Sequence, residues 1–139
     1  MRAALSAPRA HKGGGQASGE IINVTSVHEE VPRAGGADYC ATTGGLRNLT
    51  RCLALELAEG KITANNLAPG MVLTPMNQAA LDDPAVLDKQ VQSIPVKRAA
   101  RPEEIAALAV YLASSDADYV TGTTISIDGG LMRNMGQEA

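Results

Sequence analysis

EIINVTS, residues 20–26, is the stretch on which the fold turns. It is short, and it is apolar and β-branched at Ile21, Ile22 and Val24. Such a run suits a strand buried on both faces, as in a parallel sheet. It leads into a polar loop, HEEVPRAGGA (residues 28–37), broken by Pro32, Gly35 and Gly36. Residues 37–59 then read as one long helix, with Leu46, Leu49, Leu53 and Leu57 at spacings of three and four and Gly60 as its stop. Gly44 and Gly45 lie inside it, each costing about 1 kcal/mol against Ala. They are expected to admit a close neighbour, either another helix or a ligand.

A second strand, Ile62 to Leu67, runs into the turn Ala68-Pro69-Gly70. Residues 74–93 are polar with short helical potential. Pro102-Glu103-Glu104 opens a further helix: Pro in the first turn needs no N–H partner, and the two acids suit the positive end of the helix dipole. Its expected inward stripe is Ile105, Leu108, Ala109 and Leu112. The last strand, Thr123 to Ile127, is closed by Asp128-Gly129-Gly130. Strands alternating with helices predict an α/β fold, a parallel sheet of about three strands with covering helices.

The chain has 139 residues, the size of one ordinary domain. Hydrophobic residues make up 45% and charged residues 19%, enough apolar side chain for a packed core. There are three Tyr and no Phe or Trp, and the net charge is −3. Neither stacking platforms nor a basic field for nucleic acid or anionic membrane is present. No apolar run approaches the roughly 20 residues that cross a bilayer.

Residues 1–18 differ from the rest: Arg2, Arg9 and Lys12 occur, and no acid precedes Glu20. The composition is that of a mitochondrial transit peptide, but Pro8 interrupts any amphipathic face, and the segment reads instead as a poorly ordered or helical leader ending in the linker Gly13-Gly14-Gly15. Residues 19–139 form the domain proper. Cys40 and Cys52 fall on one helix, about 18 Å apart, too far to bridge each other. Two unpaired thiols suit a reducing compartment, and with no apolar signal run visible a cytoplasmic setting is expected.

Ligands of open parallel sheets bind at the C-terminal ends of the strands. Thr25-Ser26, the run Pro69 to Thr74, and the start of the long helix near Tyr39 all land there. Ser26 and Tyr39 are thirteen residues apart, separated by a loop that can fold back over the sheet. A hydroxyl donor and a phenol converging on one spot can polarise a carbonyl and exchange a proton with it.

These pieces resemble the C-terminal half of the short-chain dehydrogenase/reductases, closest to glucose-dehydrogenase-like and acyl-carrier-protein-reductase-like members. The resemblance rests on INVTS, on Tyr39 after Ser26, and on NNLAPGMVLT (residues 65–74). RPEEIA (101–106), YVTG (119–122) and IDGG (127–130) continue it in order. It implies part of a Rossmann-type doubly wound sheet and NAD- or NADP-linked interconversion of small alcohols and carbonyls. Tyr39 would be the general acid/base, and Ser26 would hydrogen-bond the substrate oxygen. Pro69, Gly70, Val72 and the Thr74 hydroxyl would hold the nicotinamide end of the cofactor, and residues 74–93 would cover the substrate. It also implies a homo-oligomer or association with a full-length relative.

Two departures temper the resemblance. The family carries Lys four residues after the Tyr, lowering the phenol pKa and binding the nicotinamide ribose. Here Thr43 stands in that place, with no charge and too short a side chain. Arg47 lies too far along the helix to replace it, and a loss of at least about a hundredfold in rate is expected. Second, the Gly-rich pyrophosphate turn after a first strand is not in this sequence. The reading is thus a truncated oxidoreductase, weakly active or inactive as given, with a non-catalytic oligomerisation or binding module as the alternative. Cys40 with His28 lacks a third orienting group for thiol catalysis. His28, Glu29, Glu30 and Asp38 match no metal-ligand spacing and read as a solvated loop.

Overall fold

Three strands lie side by side in parallel in the computed structural model, which describes residues 3–5 and 18–134: β2 (Gly19–Val24), β3 (Ile62–Pro69) and β4 (Thr124–Ile127). Parallel neighbours need long crossovers. The first is α1 (Ala37–Glu56); the second contains α2 (Gln78–Asp82), α3 (Pro84–Val91) and α4 (Pro102–Leu112). The predicted α/β order therefore holds, with shifts only at the element ends.

Successive residues of a strand point to opposite faces, and here the two faces differ chemically. Ile22 and Leu67 are buried with Leu112, and Ile105, Leu108, Ala109 and Ile125 pack against them. The inward stripe expected for α4 is the observed one. Asn23 and Asn66 point the other way, toward α1. They are directly paired in register, and Asn66 is paired with Thr124, so three polar residues form one row across the sheet.

That row changes which face of α1 is buried. Its inward line is Thr43, Leu46, Thr50 and Ala54, while Leu49 is 50% exposed. The expected leucine stripe fails at Leu49 because the sheet beneath presents amides. Thr50 answers them, and Leu49 lies about 100° around the helix from it. The Thr50 hydroxyl, fully buried, accepts from Asn23 Nδ2 at 2.8 Å and donates to Asn66 Oδ1 at 2.6 Å.

Other details also correct the sequence reading. The helix stops at Glu56 rather than 59, and the turn that follows takes its left-handed residue at Lys61, at φ 54°. A Cβ on Gly44 would lie 3.6 Å from the Glu29 carbonyl oxygen, ordinary contact, and one on Gly45 would meet nothing within 4 Å. Neither glycine is needed for close approach. Gly70 is: a Cβ there would lie 2.9 Å from Asp128 Cα, where the chain leaving β3 passes the chain leaving β4.

At the other edge, β1 (Ala3–Leu5) pairs antiparallel with β2, Ala3 opposite Asn23 and Leu5 opposite Ile21. The leader is expected to be poorly ordered or helical; its residues Ala3–Leu5 form a strand, since the open edge of β2 offers unpaired backbone groups. The expected Gly13-Gly14-Gly15 linker lies outside the described residues.

Candidate active site

A cleft of about 730 Å³ opens at the C-terminal ends of β2 and β3, between α1 and α4. Ser26, Tyr39 and Thr43 line one side of it, and Pro69, Gly70, Val72 and Thr74 another. Residues scattered over nearly fifty positions of sequence thus share one space.

Ser26 follows β2 in extended conformation and caps a short 3₁₀ turn, Val27–Glu29. Its Oγ accepts from the His28 backbone N–H at 3.2 Å, which leaves its own O–H to donate elsewhere. Tyr39, in the first turn of α1, is 37% exposed. Its ring meets the His28 imidazole edge-on, with centroids 6.1 Å apart, and the Arg33 guanidinium carbon lies 6.0 Å from its centroid. His28 is itself fixed, its Nδ1 lying 2.9 Å from the Val31 carbonyl oxygen, an arrangement that requires Nδ1 to carry the proton.

Thr43 is buried, and its hydroxyl donates to the Tyr39 carbonyl oxygen at 3.0 Å, within its own helix. It offers the cleft no polar hydrogen. Among the described residues no Lys, Arg or His lines the cleft, and Asp38 is its one carboxylate. Arg47 is not in the lining either.

The loop after β3 is held from several sides. The Gly70 N–H donates to the Ile127 carbonyl at 3.1 Å, the Leu73 N–H to Ala100 at 2.9 Å, and the Ala100 N–H to Met71 at 2.9 Å. Asn77 Nδ2 donates to the Val72 carbonyl at 2.7 Å. Met71 and Leu73 also pack on an apolar cluster of Val91, Ile94 and Ala99. None of these bonds uses the Val72 N–H, and the Thr74 side chain makes no capping bond. A rigid loop with a backbone donor and a hydroxyl to spare is suited to holding a polar ring substituent.

The wall opposite is the start of α4, through Pro102, Ile105, Ala106 and Ala109. Glu104 secures that start. Its Oε2 accepts from the Arg101 N–H at 2.9 Å, and both carboxylate oxygens take bonds from Arg98, at 2.8 and 2.7 Å. The Arg98 hydrogen bonds, then the Arg101 N–H, hold the Glu104 carboxyl down at about 2.

A model of the family described as Enoyl-(Acyl carrier protein) reductase matches residues 1–132. The 3beta-hydroxysteroid dehydrogenase 1 of Eggerthella lenta is 45% identical over 113 residues, 81% of this chain and 43% of that protein. The chain belongs to the short-chain dehydrogenase/reductase family. Glucose 1-dehydrogenase 2 of Bacillus subtilis is 39% identical over 113 residues, again 81% of this short-chain dehydrogenase/reductase chain and 43% of the relative. The structure of a gluconate 5-dehydrogenase from Burkholderia cenocepacia, in complex with NADP and tartrate, superposes with a TM-score of 0.77 at 40% identity, covering 83% of this chain and 45% of that one. The chain spans less than half the length of the curated relatives it matches.

Sequence reading missed Asp38, Thr42, Asn77 and the α4 wall as cleft residues. Asp38 precedes Tyr39 and Thr42 lies one helical turn on, four residues from Asp38, which could have marked them. Asn77 and the α4 residues reach the cleft only through the fold. Glu29, expected in a solvated loop, is instead 6% exposed. Among the described residues no group of three or more His, Cys, Asp or Glu is placed to hold a metal ion, and no helix is long and apolar enough to cross a membrane.

Proposed function

We propose that this chain carries the alcohol–carbonyl site of an NAD(P)-dependent oxidoreductase, and that Thr43 leaves it weak or silent as given. The carrying observation is the convergence of Ser26, Tyr39 and the loop Pro69–Thr74 on one cleft. When bound, the dinucleotide supplies or accepts hydride. The Tyr39 phenol gives a proton to the carbonyl oxygen or takes it from the alcohol, and the unspent Ser26 O–H donates a hydrogen bond to the same oxygen. The Val72 N–H, the Thr74 hydroxyl and the backbone around Pro69 and Gly70 suit the nicotinamide end of NAD or NADP. The substrate is a small alcohol or carbonyl compound. The free thiols of Cys40 and Cys52 fit a reducing, cytoplasmic setting.

The test is nicotinamide turnover and NAD(P) binding by the chain as given, by Thr43→Lys, and by Thr43→Lys with Tyr39→Phe. The expected pattern is a gain on introducing Lys and its loss with Phe. No turnover and no binding of either dinucleotide by any form would overturn the reading.

A second reading, a non-catalytic module that assembles with itself or with a full-length relative, is favoured by the spent Thr43 hydroxyl and the lack of a lining cation among the described residues. Leu49 and Leu55, exposed on α1, suit such assembly. A chain that sediments as a monomer, alone and with a full-length relative, would count against it.

A further inference from the structure

We propose that Glu29 is a positioning residue that sets Ser26 against Tyr39. The inference rests on the reading of that pair as the reacting groups. Three observations carry it. The Glu29 N–H donates to the Ser26 carbonyl oxygen at 2.9 Å, so Glu29 closes the turn that Ser26 caps. Its carboxylate leaves that turn and accepts from Thr124 Oγ1 on β4 at 2.6 Å, 95 residues away in sequence. Its carbonyl oxygen lies beside α1 near Gly44, five residues beyond Tyr39, where an added Cβ would come within 3.6 Å of it.

Glu29 is therefore bonded to the Ser26 turn and to the sheet, and its carbonyl oxygen lies beside the Tyr39 helix. Thr124 is fixed in its turn, since it stands beside Asn66 in register and Asn66 is bound to Thr50 of α1. The turn is thus referenced to the same polar row that seats the helix. Glu29 Oε2 is buried with no hydrogen-bond partner among the described residues, so the Thr124 bond is the side-chain tether found there. A buried carboxylate held at one oxygen responds sharply to loss of that bond, because no solvent replaces it.

The experiment is amide hydrogen exchange on the full chain, reading His28 and Glu29 in the turn and Leu112 in α4. The variants are Glu29→Ala, Thr124→Val and Thr124→Ser, with global stability followed by urea. Thr124→Val is expected to speed exchange of the His28 amide by about tenfold while Leu112 stays within about threefold. Thr124→Ser, which keeps the hydroxyl, is expected to match the parent, and Glu29→Ala to match Thr124→Val. The Thr124 pair carries the comparison if Glu29→Ala fails to fold. Equal acceleration at His28 and Leu112, or none at His28, would overturn the proposal. Exchange is read without turnover, so failure of the positioning role is distinct from failure of the oxidoreductase reading. In Thr43→Lys, once active, Thr124→Val should lower kcat and spare KM.

Discussion

The Thr43 hydroxyl donates to the Tyr39 carbonyl oxygen at 3.0 Å, closing a bond inside α1 rather than reaching into the cleft. The position four residues after the phenol is occupied by a side chain that has turned its polar group away. Nothing cationic among the described residues lines the cleft in compensation. On the proposed reading, the site keeps the phenol of Tyr39 and the hydroxyl of Ser26 but lacks the charge that would tune them.

Thr43→Lys should therefore raise turnover by about a hundredfold over the chain as given, at some cost in stability because position 43 is buried. Nicotinamide absorbance and a urea titration measure the two effects separately.

Thr50 is the hub of the polar row, bonded to Asn23 and Asn66 with no solvent exposure. Thr50→Val leaves both amides short of a partner and should cost about 2–3 kcal/mol. Thr50→Ser keeps the hydroxyl and should cost about 1 kcal/mol or less. The urea midpoints of the two variants check this.

Gly70→Ala places a methyl 2.9 Å from Asp128 Cα, backbone that cannot swing aside. A loss of about 1–3 kcal/mol is expected. The shift should register in the amide signals of both Met71 and Gly129, on the two chains that meet there.

Glu104 predicts a dependence on acid. Its carboxyl is lowered from 4.5 to about 2, first by the Arg98 hydrogen bonds and then by the Arg101 N–H. A depressed carboxylate stabilises the fold above its unfolded pKa, and that stability is lost as pH falls through the folded value. Urea midpoints should thus decline between about 4.5 and about 2, and Glu104→Gln should flatten that part of the profile.

The order of strands and helices, the inward face of α4 and the residues at the strand ends were legible in the sequence. Each depends on local rules: β-branched runs, a period near 3.6, and Pro or Gly at turns. The α1 face was not legible. A leucine at the right spacing is read as buried, yet Leu49 is half exposed because the sheet below it is polar. The strand edge at Ala3–Leu5 was missed for a similar reason, since its pairing depends on an open partner and not on its own composition.

The sequence by itself determined that this is a parallel α/β chain with Ser26, Tyr39 and the Pro69–Thr74 loop at the strand ends, and that Thr43 stands where a lysine is expected. The tertiary structure decided that these residues share one cleft, that the Thr43 hydroxyl is already spent, and that Glu29 is buried against Thr124. Local patterning fixes which residues form an element. Which side chain meets which across 95 residues of chain depends on the register and packing of strands, and only the assembled sheet supplies that.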